Sequence, residues 1–276
     1  MYPEVFKTKE IFKNNEFHSK LFDASVANYF ELNNPIRFNN FCYSIRELIR
    51  EKLDQESPDS EVIKSVWYIQ NKDGKPYRSD KIRYYITKGI SNENLPEGFL
   101  NNLKDVQSEF TKLMGIMNKY THINSDSFGI ELFDGDKWFR NVLKILVSFV
   151  NLLNELEKKI QDQLLDKIYE DIQQKLFDEL PNEIDVLSTH SSIDEIDNVN
   201  IEIESMDSEY IYISGECDVG VELQYGSESD NRGDENTAYG TSYPMDFKIV
   251  IEINNLEERE YELGEIDTSS FYGADA

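Results

Sequence analysis

Three side chains in this sequence, His122, Arg46 and Arg50, are of types that can move a proton or stabilise negative charge. His122 closes the hexapeptide MNKYTH at 117–122, at the end of an amphipathic helical pattern. Arg46 and Arg50 are one helical turn apart, so both would lie on one face of a helix. An imidazole can act as a general acid or base, and a guanidinium can hold phosphoryl oxygens. These residues are the first candidates for a reaction centre.

Each candidate also has an ordinary structural interpretation. A histidine at the end of a helix can interact with the negative end of the helix dipole. Arg46 and Arg50 alternate with Glu47 and Glu51, which is the pattern of a solvated ion-pair face. The residue pattern alone leaves both interpretations open.

Other familiar reaction centres are missing from the sequence. It contains no Gly-rich phosphate loop, Ser nucleophile elbow, HExxH or CxxC pair, so nucleotide hydrolysis, esterase and metalloprotease chemistry have no support. Two cysteines and three histidines argue against a zinc site. An oxygen-rich cluster could bind calcium but matches no regular calcium loop, so a turn is favoured; it comprises Asp230, Asn231, Asp234 and Glu235. No cofactor or metal is expected.

The candidates belong to a segment with helical periodicity that extends to Leu180. Apolar residues spaced by three and four predict helices over 15–31, from Pro35 to Leu53, from Ser79 to Gly89, and from near Pro96 to Met117. A tract of about 40 residues, Asp136 to Leu180, predicts a bundle helix that projects beyond its neighbours or breaks once.

At Pro181-Asn182 the apolar period changes from 3.6 to 2. Alternating apolar residues predict strands over 199–203, 217–225 and 245–253, joined by turns without helices. This pattern indicates an antiparallel sheet or small sandwich. The sequence therefore predicts an α+β protein with a helical domain over 1–182 and an acidic antiparallel β domain over 183–276.

The net charge of −26 is concentrated in the second domain. Residues 1–180 contain 25 Lys and Arg against 29 Asp and Glu, whereas residues 181–276 contain 3 against 25. A surface that negative repels phosphate backbones, so the acidic domain is not expected to bind nucleic acid unless a metal intervenes, and RNA is expected at the helical domain. The acidic domain could bind a basic protein partner, or it could serve solubility alone.

The sequence also favours a cytoplasmic location without membrane attachment. The most apolar stretch, 142–153, is interrupted by polar residues, and the N-terminus lacks the apolar core of a secretory signal. Cys42 and Cys217 are far apart, as expected of buried thiols in a reducing compartment.

Several short segments resemble a known family. NNPIR at 33–37, SIREL at 44–48, VWY at 66–68 and YTH at 120–122, with the long closing helix, are similar to the helical domain of the predicted pPIWI-associating nucleases. That domain is similar to HEPN bundles. VELQYGSESD at 221–230 and YPM at 243–245 resemble the second domain of the same family. The resemblance covers most of the chain.

The resemblance implies a reaction centre. HEPN ribonucleases are usually dimers in which an Arg, a polar residue, three further residues and a His line a shared cleft and cleave RNA without metal. Asn118 and His122 match this motif, but Met117 occupies the Arg position. Met117 continues the apolar stripe of its helix and is expected in the core. Either the protein is inactive or another cation replaces the missing one: Arg46 or Arg50 first, then Arg37, Arg78 or Arg83.

Two functions are therefore expected from the resemblance. The first is a defence-associated, RNA-directed HEPN-like nuclease, a homodimer through its helical bundle, in which His122 and Asn118 act with Arg46 or Arg50. The acidic domain would then regulate activity or recruit a partner. The second is a non-catalytic HEPN-like scaffold or antitoxin-like protein whose acidic domain binds a basic partner. The sequence leaves the choice between them open.

Overall fold

The computed structural model describes residues 2–180, 190–224 and 238–272, in two compact units. One unit is Met1–Ile160 and the other is Gln161–Ala276. Helices come first along the chain and an antiparallel sheet follows, which confirms the predicted α+β class.

The helical part contains seven α-helices among the described residues. Five of them, α2, α3, α5, α6 and α7, confirm the predictions from apolar spacing to within a few residues at their ends. The short α1 and α4 were not predicted as defined helices. The helices are α1 Pro3–Phe12, α2 Glu16–Phe30, α3 Arg37–Glu56, α4 Asp59–Lys64, α5 Arg78–Thr87, α6 Phe99–Thr121 and α7 Leu132–Glu179.

An aromatic cluster centred on Phe139 joins α2, α3 and the first turns of α7. Phe139 is fully buried, and its ring stacks on Tyr29 with 4.0 Å between centroids. The rings of Phe41 and Tyr2 lie 4.8 and 5.5 Å away. Packed aromatic rings contribute beyond the apolar area they bury, so this cluster fixes the start of α7 against α2 and α3.

The sheet is a four-stranded antiparallel meander in the order β1-β2-β3-β4. Its β1–β2 turn is closed by Asp207, whose carboxylate accepts hydrogen bonds from the backbone N–H of Glu209 and Tyr210 at 2.7 and 2.8 Å. The strands are β1 His190–Met206, β2 Tyr210–Gln224, β3 Ala238–Glu252 and β4 Asn255–Ile266.

One face of β2 and β3 is buried and the other is polar, as the two-residue period predicts. Phe247 on β3 packs over Gly215 on β2, and a Cβ at position 215 would lie only 2.3 Å from the Phe247 ring. Strand β1 departs from the simple pattern. Its register shifts between Asp197 and Asn200, so Val199 is buried while Ile201 is only half-buried.

The division between the two compact units differs from the predicted boundary at residue 182. That position lies outside the described residues, and the units divide at 160/161, within α7. The last part of α7 belongs to the unit of the sheet, and the Gln173 amide donates to the Ile196 carbonyl of β1 at 3.0 Å. Buried residues at helical spacing form the apolar stripe of this part: Leu164, Ile168, Ile172 and Leu176.

This division separates the charges completely. Residues 1–160 contain 23 Lys and Arg and 23 Asp and Glu, so the net charge of −26 belongs entirely to residues 161–276. The helical unit is neutral overall, and its cations can form local positive surfaces without a dominating negative field.

Both cysteines are buried and form no disulfide. Burial raises the pKa of the Cys42 thiol well above its usual range, and it raises the pKa of the Cys217 thiol to about 11. Within the described residues, no helix is long and apolar enough to cross a membrane.

Candidate functional site

The candidate site is built at the C-terminal end of α6, which α3 holds in place. The buried side-chain amide of Asn39 donates to the carbonyl of Tyr120 at 2.7 Å, satisfying one of the carbonyls that a helix end leaves unpaired. The ring of Phe38 packs edge-on against the ring of Tyr120 at 4.8 Å. Two neighbouring side chains of α3 therefore fix the last turn of α6.

Arg46 extends from the same helix to the residue that precedes His122. Its Nη1 donates to Oγ1 of Thr121 at 3.3 Å, and Thr121 Oγ1 donates to the carbonyl of Asn118 at 3.1 Å. The Arg46 guanidinium is partly buried and lies 5.4 Å from the centre of the Tyr43 ring. The structure thus brings together Arg46 and the Asn118–His122 segment, which are far apart in sequence.

His122 is exposed at the C-cap of α6. Its backbone carbonyl accepts from the Ser127 hydroxyl at 2.9 Å, and within the described residues its imidazole makes no hydrogen bond. Asn118 is also exposed, on the last turn of the same helix. An exposed imidazole can exchange a proton with a substrate, as general acid–base catalysis requires.

Met117 is fully buried, which confirms the prediction that it belongs to the core. A side chain in that position cannot reach a substrate in the folded protein. An arginine that stabilises charge beside His122 must therefore come from another element, and Arg46 of α3 contacts this end of α6.

Arg50, the other predicted arginine, is held in ion pairs along α3. Its three guanidinium nitrogens contact Glu47 at 2.9 Å, Glu51 at 2.8 Å and Asp54 at 2.9 Å. The hydrogen bond to Glu47 raises the pKa of Arg50. The ion-pair interpretation therefore describes Arg50, whereas the Arg46 guanidinium pairs with Glu47 alone, at 3.3 Å, within the ranges that the structure describes.

A cleft of about 190 Å³ between α3, α5 and α6 extends from Arg46. Arg78 and Lys75 on its wall are exposed and, among the described residues, form no ion pair. Phe110 and Met114 supply apolar lining from α6. The cleft offers exposed positive charge next to Arg46, which suits a phosphate-bearing substrate.

Lys81 is a buried cation of this cleft that the sequence analysis missed. Its ammonium lies 2.6 Å from Asp54 and 2.6 Å from Asp59. Burial alone would lower the pKa of Lys81, but the hydrogen bonds that its ammonium donates to these two carboxylates outweigh burial and raise the pKa. No sequence signal marks Lys81, because its partners lie 27 and 22 positions away.

Two of the second-choice arginines from the sequence analysis, Arg37 and Arg83, have structural partners. Arg37 is buried, donates to the carbonyl of Tyr29 at 2.9 Å and packs over its ring. Arg83 lies 4.0 Å from the centre of the Trp67 ring and donates to Asn92 at 2.7 Å. Both arginines hold elements together in the helical unit.

Metal-ligating side chains are not clustered in the described part of the chain. Among the described residues, no group of three or more His, Cys, Asp or Glu side chains could hold a metal ion. The oxygen-rich cluster at 230–235 lies outside the described residues. His18 is buried beside Phe12, and burial lowers its pKa.

Comparisons with known proteins give the family. Two family models, both described as "Predicted pPIWI-associating nuclease", match residues 9–146 and 153–272. A search of curated proteins and a search of solved structures each gave no significant match. The two matched segments are separated by residues 147–152, and the compact units divide eight residues later, at 160/161. Because the two matches cover most of its length, this chain belongs to the family of predicted pPIWI-associating nucleases.

Proposed function

We propose that the protein is an RNA-directed, metal-independent nuclease of the HEPN type, with His122, Asn118 and Arg46 as its reacting set. The observation that carries the proposal is the contact of Arg46 with Thr121, at 3.3 Å, directly beside the exposed His122. The family description supports nuclease activity. Arg46 thus supplies, from α3, the cation that Met117 does not supply from α6.

The chemistry follows from the residue types. His122 accepts the proton of an RNA 2′-hydroxyl as its oxygen forms a bond to the adjacent phosphorus. The bond from phosphorus to the 5′-oxygen breaks, and a proton from water completes the leaving hydroxyl. Arg46 stabilises the negative charge that develops on the phosphoryl oxygens, and Asn118 orients the phosphate. The products are a 2′,3′-cyclic phosphate and a 5′-hydroxyl, so the reaction needs RNA rather than DNA.

Arg46→Ala and Arg50→Ala form a matched pair that tests this assignment. We expect Arg46→Ala to reduce RNA cleavage about 10²-fold or more, the usual effect of removing one charge-stabilising donor. Arg50→Ala should change the rate by only a few-fold, because that guanidinium is occupied by three carboxylates. The measurement is the cleavage rate of a labelled single-stranded RNA with and without EDTA, and Arg46→Lys should restore part of the lost activity.

Equal rates for the two variants would contradict the role of Arg46. Wild-type protein that cuts no RNA, with or without divalent metal, would contradict nuclease activity altogether.

We also propose a homodimer through the helical domain and a role in antiviral defence. Several apolar side chains that follow His122 along the chain are strongly exposed, and we take them to form an apolar patch of the kind that commonly marks an interface. They are Ile123, Phe128, Leu132 and Phe133, at 54–82% exposure. A second copy on this patch would place two His122 side chains near one groove and supply a second proton-transfer group. The defence role rests on the family description, which associates the nuclease with pPIWI proteins.

The acidic unit favours a second candidate function. With the charge of −26 confined to residues 161–276, it offers a surface for a basic protein partner. In this alternative, the buried Met117 marks a HEPN-like bundle that has lost catalysis and acts as a scaffold. Partner binding through the acidic unit should weaken steeply with salt in either case, so the RNA cleavage assay decides between the two functions.

A further inference from the structure

We propose that a single-stranded RNA lies on a basic and aromatic surface formed by α6 and α7. This α6–α7 surface consists of Lys119, Lys137, Trp138, Asn141 and Lys144. The inference rests on the proposed function, because it identifies the strand on which His122 would act. It assigns binding to residues outside the reacting set.

The surface surrounds a hollow on the first part of α7. Lys137, Asn141 and Lys144 follow one another at spacings of four and three, so they share one helix face. With Trp138 and Arg140 they line an open hollow of about 350 Å³. A hollow lined by cations, an amide and an indole has the groups that contact a phosphate backbone and its bases.

Trp138 is held as a platform by α6. Its ring is half-buried, and its centroid lies 5.9 Å from the centroid of the buried Tyr120. Lys119 places its ammonium 5.2 Å from the Tyr120 ring centre and 6.0 Å from that of Trp138. A supported indole beside ammonium groups can stack an unpaired base while the lysines bind the neighbouring phosphates.

Two cations of this surface have no acidic partner among the described residues. Lys119 and Lys137 are exposed and, in the part of the chain that the structure describes, neither lies within ion-pair distance of a carboxylate. In contrast, Arg140 is bound to Asp136 at 2.9 Å, and Lys144 lies 3.7 Å from Glu4. Unpaired lysines attract phosphate without first breaking an ion pair.

The α6–α7 surface adjoins the reaction centre along α6. Lys119 precedes His122 by three residues, which is about 4.5 Å along a helix axis. Tyr120 supports the Trp138 ring, and its backbone carbonyl accepts the hydrogen bond from Asn39 of α3. A strand on this surface would therefore reach His122 along α6, while Arg46 contacts the end of the same helix from α3.

An unpaired strand suits this surface better than a duplex. Bases within a duplex are stacked on one another and cannot lie on a side-chain ring, whereas bases of a single strand can. The neutral total charge of residues 1–160 also suits a local electrostatic contact better than a long duplex track.

The test measures RNA binding in a full-length His122→Ala background, so that cleavage does not interfere. Fluorescence anisotropy of a labelled 15-nucleotide single-stranded RNA is followed for Lys137→Glu, Trp138→Ala and the control Lys20→Glu. The side chain of Lys20 is 73% exposed on α2, outside the α6–α7 surface. Lys20→Glu therefore makes the same charge reversal as Lys137→Glu at a site that should not contact RNA. We expect Lys137→Glu to weaken binding at least tenfold and Trp138→Ala at least fivefold, with Lys20→Glu close to the parent.

The salt dependence of RNA affinity and the tryptophan fluorescence test whether Lys137 and Trp138 themselves contact the RNA. Lys137→Ala should reduce the slope of log affinity against log salt by about 0.7, the value for one phosphate contact on a single strand. The chain has two tryptophans, so Trp67→Phe leaves Trp138 as the single indole. Binding of single-stranded RNA should then quench the fluorescence of Trp138. A matched RNA duplex should bind more weakly and quench less.

The inference is overturned if no RNA binds, if Lys137→Glu and Lys20→Glu bind alike, or if the duplex binds as tightly as the single strand. Its failure is distinguishable from failure of the proposed function. Binding that depends on Lys137 and Trp138 without cleavage by the wild type would contradict the nuclease alone. Cleavage that depends on His122 but not on Lys137 or Trp138 would contradict the α6–α7 surface alone.

Discussion

Alanine in place of His122 is expected to abolish RNA cleavage, with a loss of at least about 10²-fold, because the residue is proposed to transfer the proton of the attacking 2′-hydroxyl. The fold should survive the change. The imidazole is exposed and makes no hydrogen bond within the described residues, and the contact with Ser127 comes from the backbone carbonyl of residue 122, which alanine retains. The melting temperature should therefore stay within a few degrees of the parent, since a surface substitution of this kind changes stability by about 0.5 kcal/mol or less.

The measurement uses a single-stranded RNA and the same oligonucleotide with one 2′-deoxy position. The parent should leave a 2′,3′-cyclic phosphate and should not cut on the 3′ side of the deoxy nucleotide, because the attacking oxygen is missing there. Full activity of His122→Ala, or equal cleavage of the deoxy-substituted site, would remove His122 from the mechanism. A fall in melting temperature of ten degrees or more would instead indicate that the residue has a structural role.

Phe139→Ala should produce the largest loss of stability in the helical unit, about 3–5 kcal/mol in the free energy of unfolding. Phe139 is fully buried and stacks on Tyr29 at 4.0 Å, with Phe41 at 4.8 Å. Alanine would leave a cavity among rings that cannot close around it, because each ring is also packed against another helix. Urea unfolding followed by far-ultraviolet circular dichroism measures the change.

Phe6→Ala on α1 is the matched control, because it removes the same ring from a position that is 55% exposed. It should alter the unfolding free energy by about 0.5 kcal/mol or less. Similar losses for the two variants would show that the aromatic cluster does not hold α7 in place.

The helices could be predicted because their apolar residues recur every three or four positions without interruption. On α6 this period runs from Phe99 to Met117, and it correctly assigned Met117 to the core although the resemblance places a cation there. The fourth strand was missed for the opposite reason. Strand β4 alternates half-buried and exposed residues among many glutamates, and an edge strand of that kind gives a weak apolar signal.

The candidate site could be predicted only in part. The sequence indicated His122, Asn118 and two arginines, but it could not separate Arg46 from Arg50, which share a helix face. The structure distinguishes them through a contact across 75 positions, from Arg46 to Thr121, which depends on how α3 and α6 pack. Lys81 and the platform of Trp138 depend on packing of the same kind, between side chains that no local pattern relates.

The two buried cysteines give the molecule one internal reporter in each compact unit. Cys42 lies in the helical unit and Cys217 in the unit of the sheet, and the raised pKa of both thiols keeps them protonated and unreactive at neutral pH. An alkylating reagent therefore modifies each sulfur only when its surroundings open. Peptide mapping after timed exposure to iodoacetamide would record the opening of the two halves of the chain separately, without any added label.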